Sequence, residues 1–406
     1  MTLEKSETEV YCGLGNACKQ MQPFHWEEAE KFVKHTAKFI AFLTILLIFF
    51  STNALLVGQG VKLIERFEIS AEPEPLLDVW SFCVTDDELV MIPDYKAGNI
   101  KVYEKNAGIL ELVKIIGRKG YGNNEFVRPT VCFYNSEESK FGVMDHGLRK
   151  IFLYDRINGR LDFERVREIL CKRKGTDFQL IGDRLFISGY ASDPNKRNYD
   201  FYFIDLTKNE NDPNQQTYLL PSYLKYGLKS NREYEIQFLD KYDIPAIGIK
   251  GWFDIHKDDA YFIWEGALKI IRINIVSGDI YPDKNGIKPP HYIKPFPTIE
   301  LRDAYLKRDI DLIQNKKERM SYVENIFVNS KYVLVIYEGP VNPGAATNCW
   351  LQFYTLDLDF LKEVPIPGNP KNMMWFDKNK ALLYSLSSKM RGDKQYYYVL
   401  KYEIHD

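Results

Sequence analysis

The sequence predicts an all-β fold: a six-bladed β-propeller preceded by one N-terminal transmembrane or signal-anchor helix. Three observations lead there. A short strand pattern recurs six times between residue 100 and the C-terminus, a second apolar strand stands ahead of every copy, and one long uncharged run lies near the N-terminus. The composition, 45% hydrophobic and 27% charged, supplies a substantial core and excludes a disordered chain. Tyr and Phe number 27 and 25, and their concentration in short alternating runs favours strands over helices.

The recurring strand begins at Ile100, Ile151, Phe201, Ile270, Leu351 and Tyr398, with an Asp, Asn or Gly turn usually following. Its aligned positions are Tyr103, Tyr154, Ile204, Ile273, Tyr354 and Tyr402. Three of the five intervals are close to 50 residues, and the two long ones hold insertions. The first insertion, about 209–235, is polar and Asn-rich. The second contains a segment, about 298–320, with a ragged apolar stripe at helical spacing. Upstream strands begin at Glu88, Lys140, Arg184, Ala260, Tyr332 and Ala381, and further runs such as DVWSFCV from Asp78 and GWFDI from Gly251 precede these. Three to four strands in each unit of about 50 residues is the pattern of a propeller blade. The last unit ends after its third strand, while Val61–Ser70 alternates like a strand and has no unit of its own. Pairing that segment with the last unit supplies the missing outer strand and closes the ring, which sets the propeller at 61–406.

Phe39–Val57 is uncharged and, at about 1.5 Å per residue, spans a hydrocarbon layer of about 30 Å. Lys31, Lys34 and Lys38 precede it, so the positive-inside bias keeps residues 1–38 in the cytoplasm and sends the body outside. Thr52 and Ala54 offer a small-residue cleavage site, so a cleaved and secreted form is the competing expectation. A periplasmic or cell-surface propeller follows from either.

Gly117–Asp155 resembles an NHL repeat. The resemblance is carried by Gly122, Phe126 and Pro129, then Val143, Asp145, Arg149, Ile151, Tyr154 and Asp155, with Asn124 and Glu125 as extra residues in the first gap. Ile92–Asp94 with Asn99 and Ile100 keeps part of the pattern, and the last four units keep only the strand rhythm. The whole is similar to divergent NHL-like or TolB-like six-bladed propellers. That resemblance implies a fold and a binding-platform habit, without an activity, because one fold hosts many functions.

In an antiparallel blade, the loop between its second and third strands and the loop leading to the next blade share one face. Arg118, Lys119, Tyr121, Arg128 and His146 fall on such loops and are the candidate residues for binding a ligand or partner, an unidentified protein, peptide or glycan. Arg118 and Lys119 also fit an ordinary solvated turn, and Asp145 and Arg149 fit a role in bonding loop backbones. No catalytic residue, metal ligand or cofactor is expected: there is no G-x-S-x-G elbow and no P-loop, and the histidines have no His or Cys at ligand spacing. A non-enzymatic binding role is therefore expected, with an exported hydrolase or oxidoreductase using an axial metal as the alternative. A net charge of −2 gives no basic field for nucleic acid. Cys83 and Cys132 occupy similar places in consecutive units, either bridged or packed as small apolar side chains.

Overall fold

The computed structural model describes residues 60–157, 159–171, 175–192, 198–209, 212, 215–221, 251–264, 267–281, 284–285, 321–340, 348–368, 370 and 373–405. Phe39–Val57, residues 1–38, the 298–320 segment and most of 209–235 lie outside them. Contacts group Gly60–Asp406 as one unit.

Strand β1 (Val61–Ile69) comes first. Strands β2 (Cys83–Val84), β3 (Val90–Asp94), β4 (Asn99–Asn106) and β5 (Ile109–Ile116) follow as an antiparallel meander. The loop after it carries a short parallel pair, β6 (Arg118–Lys119) and β7 (Glu125–Phe126). A second meander comprises β8 (Pro129–Asn135), β9 (Lys140–Asp145), β10 (Lys150–Arg156) and β11 (Phe163–Leu170). The third holds β12 (Gly175–Ile181), β13 (Arg184–Ser192), β14 (Asn198–Asp205) and β15 (Gln216–Pro221). The fourth holds β16 (Gly251–His256), β17 (Asp259–Trp264), β18 (Ala267–Asn274) and β19 (Lys284–Asn285). The fifth holds β20 (Tyr322–Val328), β21 (Tyr332–Glu338), β22 (Cys349–Thr355) and β23 (Phe360–Pro365). Strands β24 (Met373–Asp377), β25 (Leu382–Arg391) and β26 (Lys394–Ile404) end the chain. The fold is all-β and propeller-like, and the described residues contain no helix.

The recurring sequence pattern falls on β4, β10, β14, β18, β22 and β26. Strands of this kind are buried along most of their length, as at Asn99–Tyr103 of β4, Ile151–Tyr154 of β10 and Leu351–Tyr354 of β22. Burial on both faces is what near-continuous apolar runs predict. The strands that follow them are more open, and β5 and β11 mix exposed with buried positions. The hairpins between first and second strands reuse one turn chemistry. A short polar side chain accepts hydrogen bonds from backbone N–H groups two or three residues on: Asn135 from Glu137 and Glu138, Asn329 from Lys331 and Tyr332, Asp377 from Asn379 and Lys380.

The N-terminal segment closes the fold. β1 pairs antiparallel with β26 from Val61 opposite Ile404 to Glu68 opposite Tyr398, completing a fourth meander strand beside β24–β26. This is the pairing the sequence suggested. An additional parallel step joins Glu68 and Ile69 to Ile109 and Leu110 of β5, so the first and last meanders merge into one eight-stranded sheet. Charges reinforce the seam: Lys401 lies 2.6 Å from Glu88 and 3.5 Å from Glu65, and Lys105 lies 2.7 Å from Glu65. Burial works against ionised Glu88, but the hydrogen bond and charge of Lys401 prevail and hold its carboxyl below the usual range.

The core is divided among neighbouring sheets. Phe141 and Tyr154 of the second meander, with Phe126 of β7, pack with Ile100 and Val102 of the first. Phe201, Phe253, Phe262 and Trp264 join the third and fourth. Leu334 and Ile336 of the fifth meander meet Leu383 and Tyr402 of the last, and Leu386 and Val399 of the last meet Val90 and Tyr103 of the first. Polar stitches cross the same boundaries. Asn135 Nδ2 donates to the Leu180 carbonyl, Thr176 Oγ1 to that of Gly251, and Lys380 Nζ to that of Asp86. Cys83, Cys132, Cys171 and Cys349 are buried free thiols. Cys83 and Cys132 therefore act as packing, and burial, followed by the neighbouring Cys132, pushes the Cys83 thiol well up.

Candidate functional site

The first strands β2, β8, β12, β16, β20 and β24, with the residues just ahead of them, surround one cavity of about 830 Å³. Its wall mixes hydroxyl, carboxylate, amide and aromatic groups, among them Ser81, Thr130, Asp177, Gln179, Asn325 and Trp375. Half-buried Trp375 packs against three separate apolar clusters, including the one between the second and third meanders, so its ring reaches well across from β24.

At one end, the loops are pinned by carboxylates. Buried Asp145 accepts N–H bonds from Val127 at 2.7 Å, Arg128 at 3.0 Å, Gly147 at 2.7 Å and Leu148 at 2.9 Å. The N–H of His146 also donates to the Arg128 carbonyl. The loop entering β8 and the loop after β9 are thereby brought together. Arg149 takes a left-handed backbone with φ of 55°, and its carbonyl accepts the Cys171 N–H. Asp94 repeats this arrangement one meander earlier. It accepts from Leu77, Asp78 and Ala97, and buried Lys101 lies 3.0 Å from its carboxylate while also donating to the Pro75 carbonyl. The pinning of Leu77 and Asp78 also corrects the strand read into DVWSFCV. Only Cys83–Val84 is regular strand, with Val79 in an isolated bridge to Asp94, because residues 77 and 78 bond a side chain instead of a ladder.

Between these pinned loops lies an aromatic corner. Trp80, 56% exposed, stacks on Tyr95 with centroids 5.4 Å apart and planes at 19°. Its indole Nε1 donates to Asp78 at 3.2 Å, and the Arg128 guanidinium lies 5.6 Å from the Tyr95 ring centroid. Trp80 and His146 both line the cavity. His146 Nε2 is 3.0 Å from the Gly175 carbonyl, which can only accept, so the proton sits on Nε2. The other sequence candidates sit further out. Arg118, with 81% of its side chain exposed, pairs with Glu125 at 2.8 Å; Lys119 Nζ donates to the Lys96 carbonyl; Tyr121 is 83% exposed. Gly117 makes their loop possible: its φ is +73°, and a Cβ there would run into the Phe126 ring. Of the five candidates, the structure joins Arg128 to His146 and leaves Arg118, Lys119 and Tyr121 on an exposed loop outside the cavity lining.

The opposite end carries a tie that the sequence did not reveal. Buried Asp254 on β16 accepts N–H bonds from Ile255 at 2.8 Å and from Val328 on β20 at 2.7 Å. Lys378, just after β24, reaches it at 2.5 Å and donates also to the Ile255 carbonyl at 3.0 Å. Deep in the wall but partly open to the cavity, Asp177 is pushed up to about 7 by burial, aided by the Asp254 charge. His256 is lowered by burial and by Lys257 and Lys378. Neither spacing nor periodicity signals Asp254–Lys378, whose members are 124 residues apart. Among the described residues, no group of three or more His, Cys, Asp or Glu side chains is placed to hold a metal ion.

A cavity surrounded by the first strands of successive meanders defines a propeller-like protein, and solved structures share that architecture. A candidate exported protein from Bacteroides fragilis superposes with a TM-score of 0.53 at 13% identity, over 85% of this chain and 96% of that one. A member of the DUF4221 family from Bacteroides vulgatus gives 0.55 at 11% identity, over 85% and 99%. No family model and no curated protein matches the sequence. At such identities the likeness concerns the fold alone.

Proposed function

We propose that this chain is a six-bladed, NHL-like β-propeller, tethered outside the cytoplasm by Phe39–Val57, that serves as a non-enzymatic binding platform. Its ligand enters the cavity past Trp80, Arg128 and His146. The observation that carries this reading is the open cavity with an exposed, fixed tryptophan and a guanidinium at one end. Large, fixed aromatic and arginine side chains are the residues that most often dominate recognition. The apolar clusters between successive sheets, with the last packed on the first, support a closed ring of six blades. The uncharged run with its preceding lysines supports the tether, and the name of the Bacteroides fragilis structure agrees with export.

The test is site-directed photo-crosslinking of the full chain in its own membrane. A photoreactive group at Tyr121, exposed on the loop whose Lys119 bonds the Lys96 carbonyl next to Tyr95, is expected to trap a discrete partner or ligand. The same group at Val166, exposed on the outer strand β11, is expected to trap none. Equal products from both positions, or products from Val166 alone, would remove the cavity end as the binding surface.

A further inference from the structure

We propose that Trp80, Tyr95 and Arg128 form a subsite for one acidic sugar residue, the first contact of an oligosaccharide reaching the cavity. This deepens, and rests on, the binding role proposed above.

Three features choose this ligand chemistry. The first is a flat apolar face that is open yet held still. Stacking on Tyr95 fixes the plane of Trp80, and the Nε1 bond to Asp78 removes its remaining freedom to turn away. Such a ring loses little entropy when a ligand is laid on it. A pyranose offers an apolar C–H face of matching size. The second is charge. Exposed Arg128 lies at the same corner, so a carboxylate or sulfate on the sugar meets a guanidinium suited to planar, bidentate contact. Backbone bonds to Asp145 hold Arg128 where it is. The third is what lies beyond: half-buried Ser81, Gln179 and Asn325 line the cavity and carry polar groups that exchange hydrogen bonds with sugar hydroxyls. A purely apolar peptide would leave the guanidinium and these polar groups unused. A neutral sugar would leave the guanidinium unused.

The experiment is calorimetric titration of the full chain in detergent with a short oligogalacturonate and with a neutral oligosaccharide of equal length. The acidic sugar is expected to bind about tenfold more tightly, a margin that shrinks as salt is raised. Trp80→Ala is expected to weaken both sugars by about tenfold or more, and Trp80→Phe to retain most of the affinity. Arg128→Gln is expected to abolish the preference for the acid and its salt dependence while sparing the neutral sugar. Thermal melts matching the parent chain establish that the variants are folded. The subsite is overturned if neither sugar binds, if both bind equally, or if Trp80→Ala leaves affinity unchanged. An acidic peptide that binds in a Trp80-dependent way where the sugars fail would overturn the sugar and keep the cavity end as a binding surface. If the crosslinker at Tyr121 also traps nothing, that wider reading falls with it.

Discussion

The two ends of the cavity use the same residue type for opposite purposes. At the end carrying Trp80, Asp94 and Asp145 take backbone N–H groups from loops of their own units, with Lys101 of the same meander beside Asp94. At the other end, Asp254 bonds the next sheet through Val328 and is met by Lys378 from the sheet beyond it. The first arrangement stiffens a corner; the second ties three sheets together. A carboxylate in this molecule is therefore defined by the donors that the fold delivers to it.

The contrast can be broken from either end. Asp94→Ala is expected to have the largest effect, about 3–5 kcal/mol in urea unfolding, because it leaves buried Lys101 without its carboxylate. Adding Lys101→Met to that variant should recover part of the loss, since an apolar replacement has no charge to desolvate. A double variant no more stable than Asp94→Ala would show that the loop bonds, not the ion pair, carry the corner. Asp145→Ala should follow at about 2–3 kcal/mol, as four N–H groups lose their acceptor. Its signature is local: faster amide exchange at Val127, Arg128, Gly147 and Leu148, with β20 unchanged.

Lys378→Met tests the other end and should cost about 1–2 kcal/mol, because Asp254 keeps two backbone donors. Here protection is expected to fall on β16 and β24 together, though they are far apart in the chain. Loss confined to the β24–β25 turn would mean that the tie does not join sheets. Asp177→Asn is read as a slope against pH and not as an effect at one pH. The carboxyl is pushed up to about 7 by burial, above its unfolded value near 4. Between those values the folded protein holds more protons than the unfolded chain, so stability falls as pH rises from about 4 to 7, by at most about 1.4 kcal/mol per unit. The asparagine variant should lose that slope, and equal slopes in both proteins would refute the buried acid.

Much of the scaffold was visible in the residues. Six apolar strands with turn signals were legible because each strand is buried on both faces, and β1 was legible because Val61–Ser70 alternated without a partner of its own. The resemblance around Asp145 was strong for a physical reason now apparent: that side chain serves four donors within its own unit. Of the five sequence candidates, Arg128 and His146 stand at that corner, the first through its N–H bond to Asp145 and the second as the next residue in the chain. Trp80 was read as part of a strand, since nothing local announces that Asp94 will take its neighbours' N–H groups out of the ladder.

The sequence by itself determined where strands and turns fall, which strands are covered on both faces, and that the first strand needs the last. These are consequences of local apolar period and turn chemistry, which act over a few residues. Only the tertiary structure decided what meets in the middle: Trp375 across several clusters, Lys378 against Asp254, and Trp80 on Tyr95 beside Arg128. Those meetings depend on the angle and spacing at which sheets stack. Side chains from distant segments share a cavity only after the whole set of sheets has packed.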